Sequence, residues 1–345
     1  MLTAKQRLFN AVSKLPNDRP PCICPGGMMN MAVKELMEYK QAFFPEAHTD
    51  PETMAELSKA ACESGCFENY GVPFCMTIEA EEMGAEVDLG DKKYEPHVKK
   101  YVIDSVCEWR TLMPISLKTG RSKVVLNAIE ILKENNGQIP VIGNIPGPIS
   151  VASSLLEPSV FYKELRRKNK EAKEMLSFVT TQLIAFAKSQ LAYGADVITI
   201  SDPSATGEIM GPQLFSEFTI QYLNMLISAV KEEYPDPPVI VHICGHMHKV
   251  YDLLRQLKCD VLSFDACVNL KKAKEMLPSH AIMGNVSTYT LENGTPDKIG
   301  EITRRSIENG ADIIAPACGL GNASPLINLQ AMLKSVQRGR KYAND

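Results

Sequence analysis

The sequence predicts an α/β fold: a single (β/α)8 barrel over residues 1–345, with an N-terminal helical extension and an insertion after the second strand. Three observations predict it. Eight short, β-branched apolar runs recur along the chain; helical patterns separate them; and most runs end in polar or metal-capable residues. Runs that are apolar on both faces and alternate with helices indicate a parallel sheet covered by helices. Eight such units in one chain point to a closed barrel. An open doubly wound sheet would normally carry a Gly-rich phosphate loop after an early strand, and none is present.

In order, the chain begins with a polar amphipathic helix pattern, without an apolar signal core. The strand candidates are residues 21–25, 67–72, 140–145 (PVIGNI), 195–201 (ADVITIS), 238–243 (PVIVHI), 261–264 (VLSF), 281–286 (AIMGNV) and 312–317 (DIIAPA). The first two are the less regular. Residues 85–104 read as a hairpin-like insertion around Gly90-Asp91. Helical patterns cover residues 162–193, 213–233, 247–257, 270–277 and 296–309. No Pro-, Gly- or Ser-rich linker divides the chain.

Composition excludes several classes of function. With 37 Lys+Arg against 41 Asp+Glu, a net charge of −4 and no basic run, nucleic acid is not the expected partner. No uncharged apolar stretch approaches the roughly 18 residues of a membrane helix. A cytoplasmic protein is therefore expected, and in a reducing compartment its 10 cysteines are free thiols, either buried fillers or metal ligands.

The strand ends carry the chemistry. In a barrel they share the C-terminal rim, where active sites are built. His242 and Cys244 lie two apart on one strand, so their side chains face the same side. Cys318 ends the last strand at an equivalent level, in Ala317-Cys318-Gly319. One imidazole and two thiolates suit zinc, and three protein ligands leave a fourth position for substrate. Such a centre has zero net charge, which suits holding a substrate thiolate better than activating water. The competing reading is that strand-end cysteines are small buried fillers.

At these residues the sequence resembles the methylcobalamin:coenzyme M methyltransferases, a branch of the uroporphyrinogen decarboxylase superfamily. The resemblance rests on Phe44-Pro45-Glu46-Ala47-His48, Val72-Pro73-Phe74-Cys75-Met76-Thr77, Gly147-Pro148-Ile149, Asp202-Pro203, Val241-His242-Ile243-Cys244-Gly245, Gly284-Asn285-Val286-Ser287 and Ala315-Pro316-Ala317-Cys318-Gly319. It implies a TIM barrel in which Zn2+, held by His242, Cys244 and Cys318, binds a substrate thiol. That thiolate attacks the methyl group of a methylated corrinoid carried by a partner protein docked over the mouth. It also implies a displaceable fourth ligand, in the family a carboxylate, for which Asp265 is the first candidate and Cys267 the second; a helix N-cap is the alternative for Asp265. The acceptor is coenzyme M, or tetrahydrofolate as in related enzymes. Gly319–Asn322 amides are the expected anchor for a sulfonate. A decarboxylase would need arginines in the loop after the first strand, and Cys24-Pro25-Gly26-Gly27-Met28-Met29-Asn30 has none.

Asn144, Asp202, Asn285 and Gly319 occupy rim positions expected to contact the corrinoid or the acceptor. Asp202 is alternatively the partner of the second nitrogen of His242, or a turn residue before Pro203. His246 and His248 fall where a helix begins and are expected to be solvated. Cys22, Cys24, Cys62, Cys66 and Cys75 are expected in the core, and Glu79 at a helix start, where its charge suits the dipole. A barrel whose zinc is structural, with no transferase activity, is the remaining alternative.

Overall fold

The structure, a computed structural model, describes residues 2–134 and 137–338. Its centre is a six-stranded parallel sheet in the order β1 (Tyr70–Val72), β4 (Val141–Pro146), β5 (Val197–Ser201), β6 (Val239–Ile243), β7 (Val261–Phe264) and β8 (Ala281–Met283). These strands are buried along their whole length, as expected for runs covered by helices on one face and packed in a lumen on the other.

The two edges of this sheet are joined by the first and last predicted strands. Ile313 bridges to Met283 and Ile314 to Cys22, both in parallel. Ile23 N donates to Ile314 O and Ile314 N to Pro21 O, each at 2.9 Å, and Glu68 N donates to Cys22 O at 2.9 Å. The ring thereby closes with eight staves. The two closing staves form isolated bridges rather than regular ladders. Proline is the physical reason: Pro21, Pro25 and Pro316 have no N–H to donate. A side chain replaces the missing ladder, because Asn69 Oδ1 accepts from Cys24 N (2.9 Å) and Asn69 Nδ2 donates to Cys24 O (2.8 Å).

The insertion is an antiparallel hairpin, β2 (Glu86–Asp88) with β3 (His97–Lys100). Gly90, at φ +72°, makes its turn, and a Cβ there would strike Tyr94 O. The predicted N-terminal helix is Ala4–Val12, opened by a Thr3–Gln6 capping box. It lies across the N-terminal end of the barrel, with Lys5 N on Gln138 O (2.9 Å) and Lys5 Nζ on Asp196 (2.6 Å). Beside it the Glu68 carboxylate accepts from Arg7 (3.0 Å), Arg19 (2.7 Å) and Cys22 N (3.0 Å). This end is therefore a fixed base.

Two long predicted helices are interrupted. The pattern at 162–193 splits into Pro158–Arg167 and Asn169–Tyr193, and the pattern at 213–233 starts earlier, at Gly207. There Gly211 at φ +64° precedes Pro212, and Phe215–Ile220 forms a π-helical segment before Gln221–Glu233. Of the pattern at 247–257 only Tyr251–Leu254 is helical. Cys66 lies beyond the helix Pro51–Glu63 that carries Cys62, and both pack with the core. No helix among the described residues is long and apolar enough to cross a membrane.

Candidate metal centre

His242, Cys244 and Cys318 converge. Their ligand atoms all lie within 4.8 Å of one another. Cys244 Sγ is 3.3 Å from His242 Nε2 and 3.8 Å from Cys318 Sγ. β6 and the stave carrying Cys318 are separated by β7 and β8, so the thiol–thiol contact crosses the lumen. The His-X-Cys spacing turns both β6 residues inward, and Cys318, just past Pro316, faces them. His242 is fully buried, while both thiols are half-buried and open toward the rim. The Cys318 thiol is pulled well below its ordinary value, chiefly by its contact with Cys244, against the effect of burial. The same contact, with burial, pushes Cys244 up. A divalent cation would bind both sulfurs as thiolates and displace their protons.

The layer around His242 follows from sheet register. Ser201 pairs with His242, and His242 with Ser263. His242 Nδ1 is 2.9 Å from Ser263 Oγ, so the second imidazole nitrogen belongs to Ser263, not to Asp202. Asp202 is instead the anchor of the neighbouring helix, Pro148–Leu155. Its carboxylate accepts from Ser150 N and Ser150 Oγ, both at 2.7 Å, and complete burial raises it to about 6. Ser263 is a hydroxyl inside the apolar run VLSF, two residues before Asp265. That polar residue at an inward position was the available signal, and the sequence reading missed it.

Asp265 stands apart from the three ligand atoms. Its oxygens accept from Gly245 N and Cys267 N, both at 3.2 Å, which ties the loop after Cys244 to the loop after β7. Asn285 Nδ2 holds that second loop in turn, on Asp265 O (2.7 Å) and Val268 O (2.9 Å). Asn144 Nδ2 donates to Pro25 O (2.7 Å) and Val72 O (3.0 Å), stitching three staves together beneath the rim. Gly319 is where two rim loops touch: a Cβ there would lie 2.5 Å from Met28 O. Hydrogen bonds to protein groups thus account for Asn144, Asp202 and Asn285, and close loop packing for Gly319. His246 and His248 are exposed, ring edge to ring at 6.1 Å.

Two features were not legible in the sequence. The insertion hairpin reaches the rim beside Cys318: Asn30 Nδ2 donates to Glu95 Oε1 (2.9 Å), Asn322 Nδ2 to Lys92 O (2.6 Å), and Lys92 Nζ lies 3.6 Å from the Phe43 ring centroid. Second, β1 leads into a buried polar cluster. Arg121 donates to Cys75 Sγ (3.3 Å) and Thr77 Oγ1 (2.8 Å) and pairs with Glu81. Nearby Glu79 is fully buried, which lifts its carboxyl to about 8, and burial and the Arg121 charge lower His48, stacked on Phe44, to about 3.

Comparison with known proteins bears on this site. The uroporphyrinogen decarboxylase (URO-D) family profile matches residues 3–339. The methylcobamide:CoM methyltransferase MtbA of Methanosarcina acetivorans is 33% identical over 337 residues, covering 97% of this chain and 98% of its own length. The methylcobamide:CoM methyltransferase MtaA of Methanosarcina barkeri is 31% identical over 345 residues, with 99% of each chain covered. A solved methyltransferase from Methanosarcina mazei superposes with a TM-score of 0.90 at 32% identity over 100% of both chains. The chain is a methyl-transferring enzyme of the uroporphyrinogen decarboxylase superfamily, in the branch of the methylcobamide:CoM methyltransferases.

Proposed function

We propose that this enzyme moves a methyl group from a methylated corrinoid, carried by a partner protein, to the thiol of coenzyme M, with zinc held by His242, Cys244 and Cys318. The observation that carries this reading is the clustering of one imidazole nitrogen and two thiol sulfurs within 4.8 Å at the C-terminal mouth of the barrel. The donor set fits the group: nitrogen and sulfur ligands in this number, half open to the rim, leave room for an exogenous ligand. Zinc bound there would hold the acceptor's sulfur as a nucleophilic thiolate at neutral pH.

The chain's own residues do the rest. His242 is buried and oriented by Ser263, so its Nε2 faces the thiols. Asp265 and Asn285 tie the two loops that flank Cys244, and Gly319 lets the Cys318 loop approach Met28 without a clash. The rim therefore holds the nucleophile in one place while the donor approaches from outside, and positioning of this kind removes much of the entropic barrier. Asp265 is the carboxylate that would take the fourth position before acceptor binds, which requires its release from Gly245 N.

The test is methyl transfer from methylcobalamin by the zinc-loaded enzyme, with coenzyme M and tetrahydrofolate assayed separately. Methyl-coenzyme M formation that is lost on chelation and restored by zinc is the expected result. Methyltetrahydrofolate as sole product would replace the acceptor, and activity unaffected by chelation would overturn the role of the metal.

A further inference from the structure

His242 lies between two serines in one layer of the barrel wall: Ser201 on β5 and Ser263 on β7 are its register partners on either side. Both are buried, at 2% and 1% exposure. Only one of them engages the ring. Ser263 Oγ is 2.9 Å from Nδ1, whereas Ser201 Oγ has no hydrogen-bond partner among the described residues. The Ser263 hydroxyl also points at Met29 Sδ, 4.0 Å away, with Met29 fully buried on the loop after the first stave. A hydroxyl has one hydrogen. If it is given to the Met29 sulfur, the oxygen lone pair is left to accept Nδ1–H, and Nε2 is bare where Cys244 Sγ stands at 3.3 Å.

We propose that Ser263 is the positioning residue of the metal centre: it fixes the Nδ1–H tautomer and the ring plane of His242, and Ser201 does not. The proposal deepens the reading of His242 as a metal ligand and rests on it. The chemistry of the partner has a consequence. Ligand histidines commonly donate their second N–H to a carboxylate, a backbone carbonyl or water. A carboxylate would add negative charge behind the imidazole. The hydroxyl orients the ring and adds none, so a dication with two thiolates and this histidine carries zero net charge. A neutral centre draws more electron density from an incoming thiol than an anionic one, which favours its deprotonation on binding. Asp202, one residue beyond Ser201, is kept away from the ring by its bonds to Ser150.

The paired serines supply an internal control. In the metal-free full-length protein labelled with 15N-histidine, long-range 1H–15N correlations report which ring nitrogen carries the proton, and loss of a signal in His242→Gln assigns it. Wild type and Ser201→Ala should both show His242 protonated at Nδ1. Ser263→Ala should move His242 toward the Nε2–H form or a mixture. Zinc affinity, measured by competition with a chromophoric chelator, should fall about 10- to 100-fold in Ser263→Ala, the range typical of losing such a partner, and stay unchanged in Ser201→Ala. An unchanged tautomer in Ser263→Ala would overturn the proposal, as would equal losses of zinc affinity in the two variants, which would mark a general effect of core hydroxyls. These readouts involve no methyl transfer. A protein with the expected tautomer and no transferase activity would refute the proposed function and leave the role of Ser263 standing.

Discussion

Cys318 and His242 are 76 residues apart in number, yet with Cys244 they form one candidate three-ligand set. Removing one ligand from a three-residue set leaves two, too few to hold zinc tightly against solvent. Cys318→Ala is therefore expected to lose zinc, measured by metal analysis after dialysis, with the far-ultraviolet circular dichroism of the barrel retained. Asp265→Ala is expected to keep zinc at near-stoichiometric occupancy, because its carboxylate is engaged with Gly245 N and Cys267 N rather than with the ligand atoms. A zinc-replete Cys318→Ala protein would remove the site assignment, and zinc loss in Asp265→Ala would make Asp265 an obligatory ligand.

At the scale of elements, the closing staves are the least regularly paired part of the barrel wall. Prolines deny them a full ladder, and Asn69 substitutes with two hydrogen bonds to Cys24 inside the core. Asn69→Ala strands a buried N–H and a buried carbonyl, each costing about 1–3 kcal/mol. The expected loss is roughly 2–6 kcal/mol in urea unfolding of the metal-free protein. A loss under about 1 kcal/mol, within the range of an ordinary surface change, would show that the stave is held by packing alone. The hairpin β2–β3 is the other element with a function of place: its tip meets the rim beside Cys318 through Asn30 and Asn322.

For the whole molecule, buried ionisable groups set the pH response. Glu79 has an ordinary value of 4.5 and is lifted to about 8 by burial. Between those values the folded protein keeps a proton that the unfolded chain has released. Stability from this group is thus full below about pH 4.5 and is lost as pH rises toward about 8. His48 acts oppositely: its lowered value costs stability as pH falls from 6.5 toward about 3. Glu79→Gln removes the first effect only. The difference in Tm between Glu79→Gln and wild type should therefore shift in favour of the variant from pH 5 to pH 8, by an amount on the order of a few kcal/mol of stability at most. A pH-independent difference would mean that Glu79 is ionised in the fold or solvated there.

What the sequence by itself determined is the alternation of apolar runs and helices, the inward-facing pair His242 and Cys244, and Cys318 at a strand end as the third candidate ligand. These are local facts of period and spacing: a two-residue repeat turns His242 and Cys244 to one side wherever the strand lies. The insertion was legible too, because Gly90 and its flanking polar residues mark a turn. The tertiary structure alone decided what surrounds the three residues. Strand register puts Ser263 rather than Asp202 on His242. Asp202 reads as a ligand partner in the sequence because Asp is suited to that task, but Ser150 of helix Pro148–Leu155 gives it two donors at 2.7 Å. Glu79 reads as an ordinary helix-start carboxylate because burial is a property of the packed molecule, and only packing shows that it is enclosed.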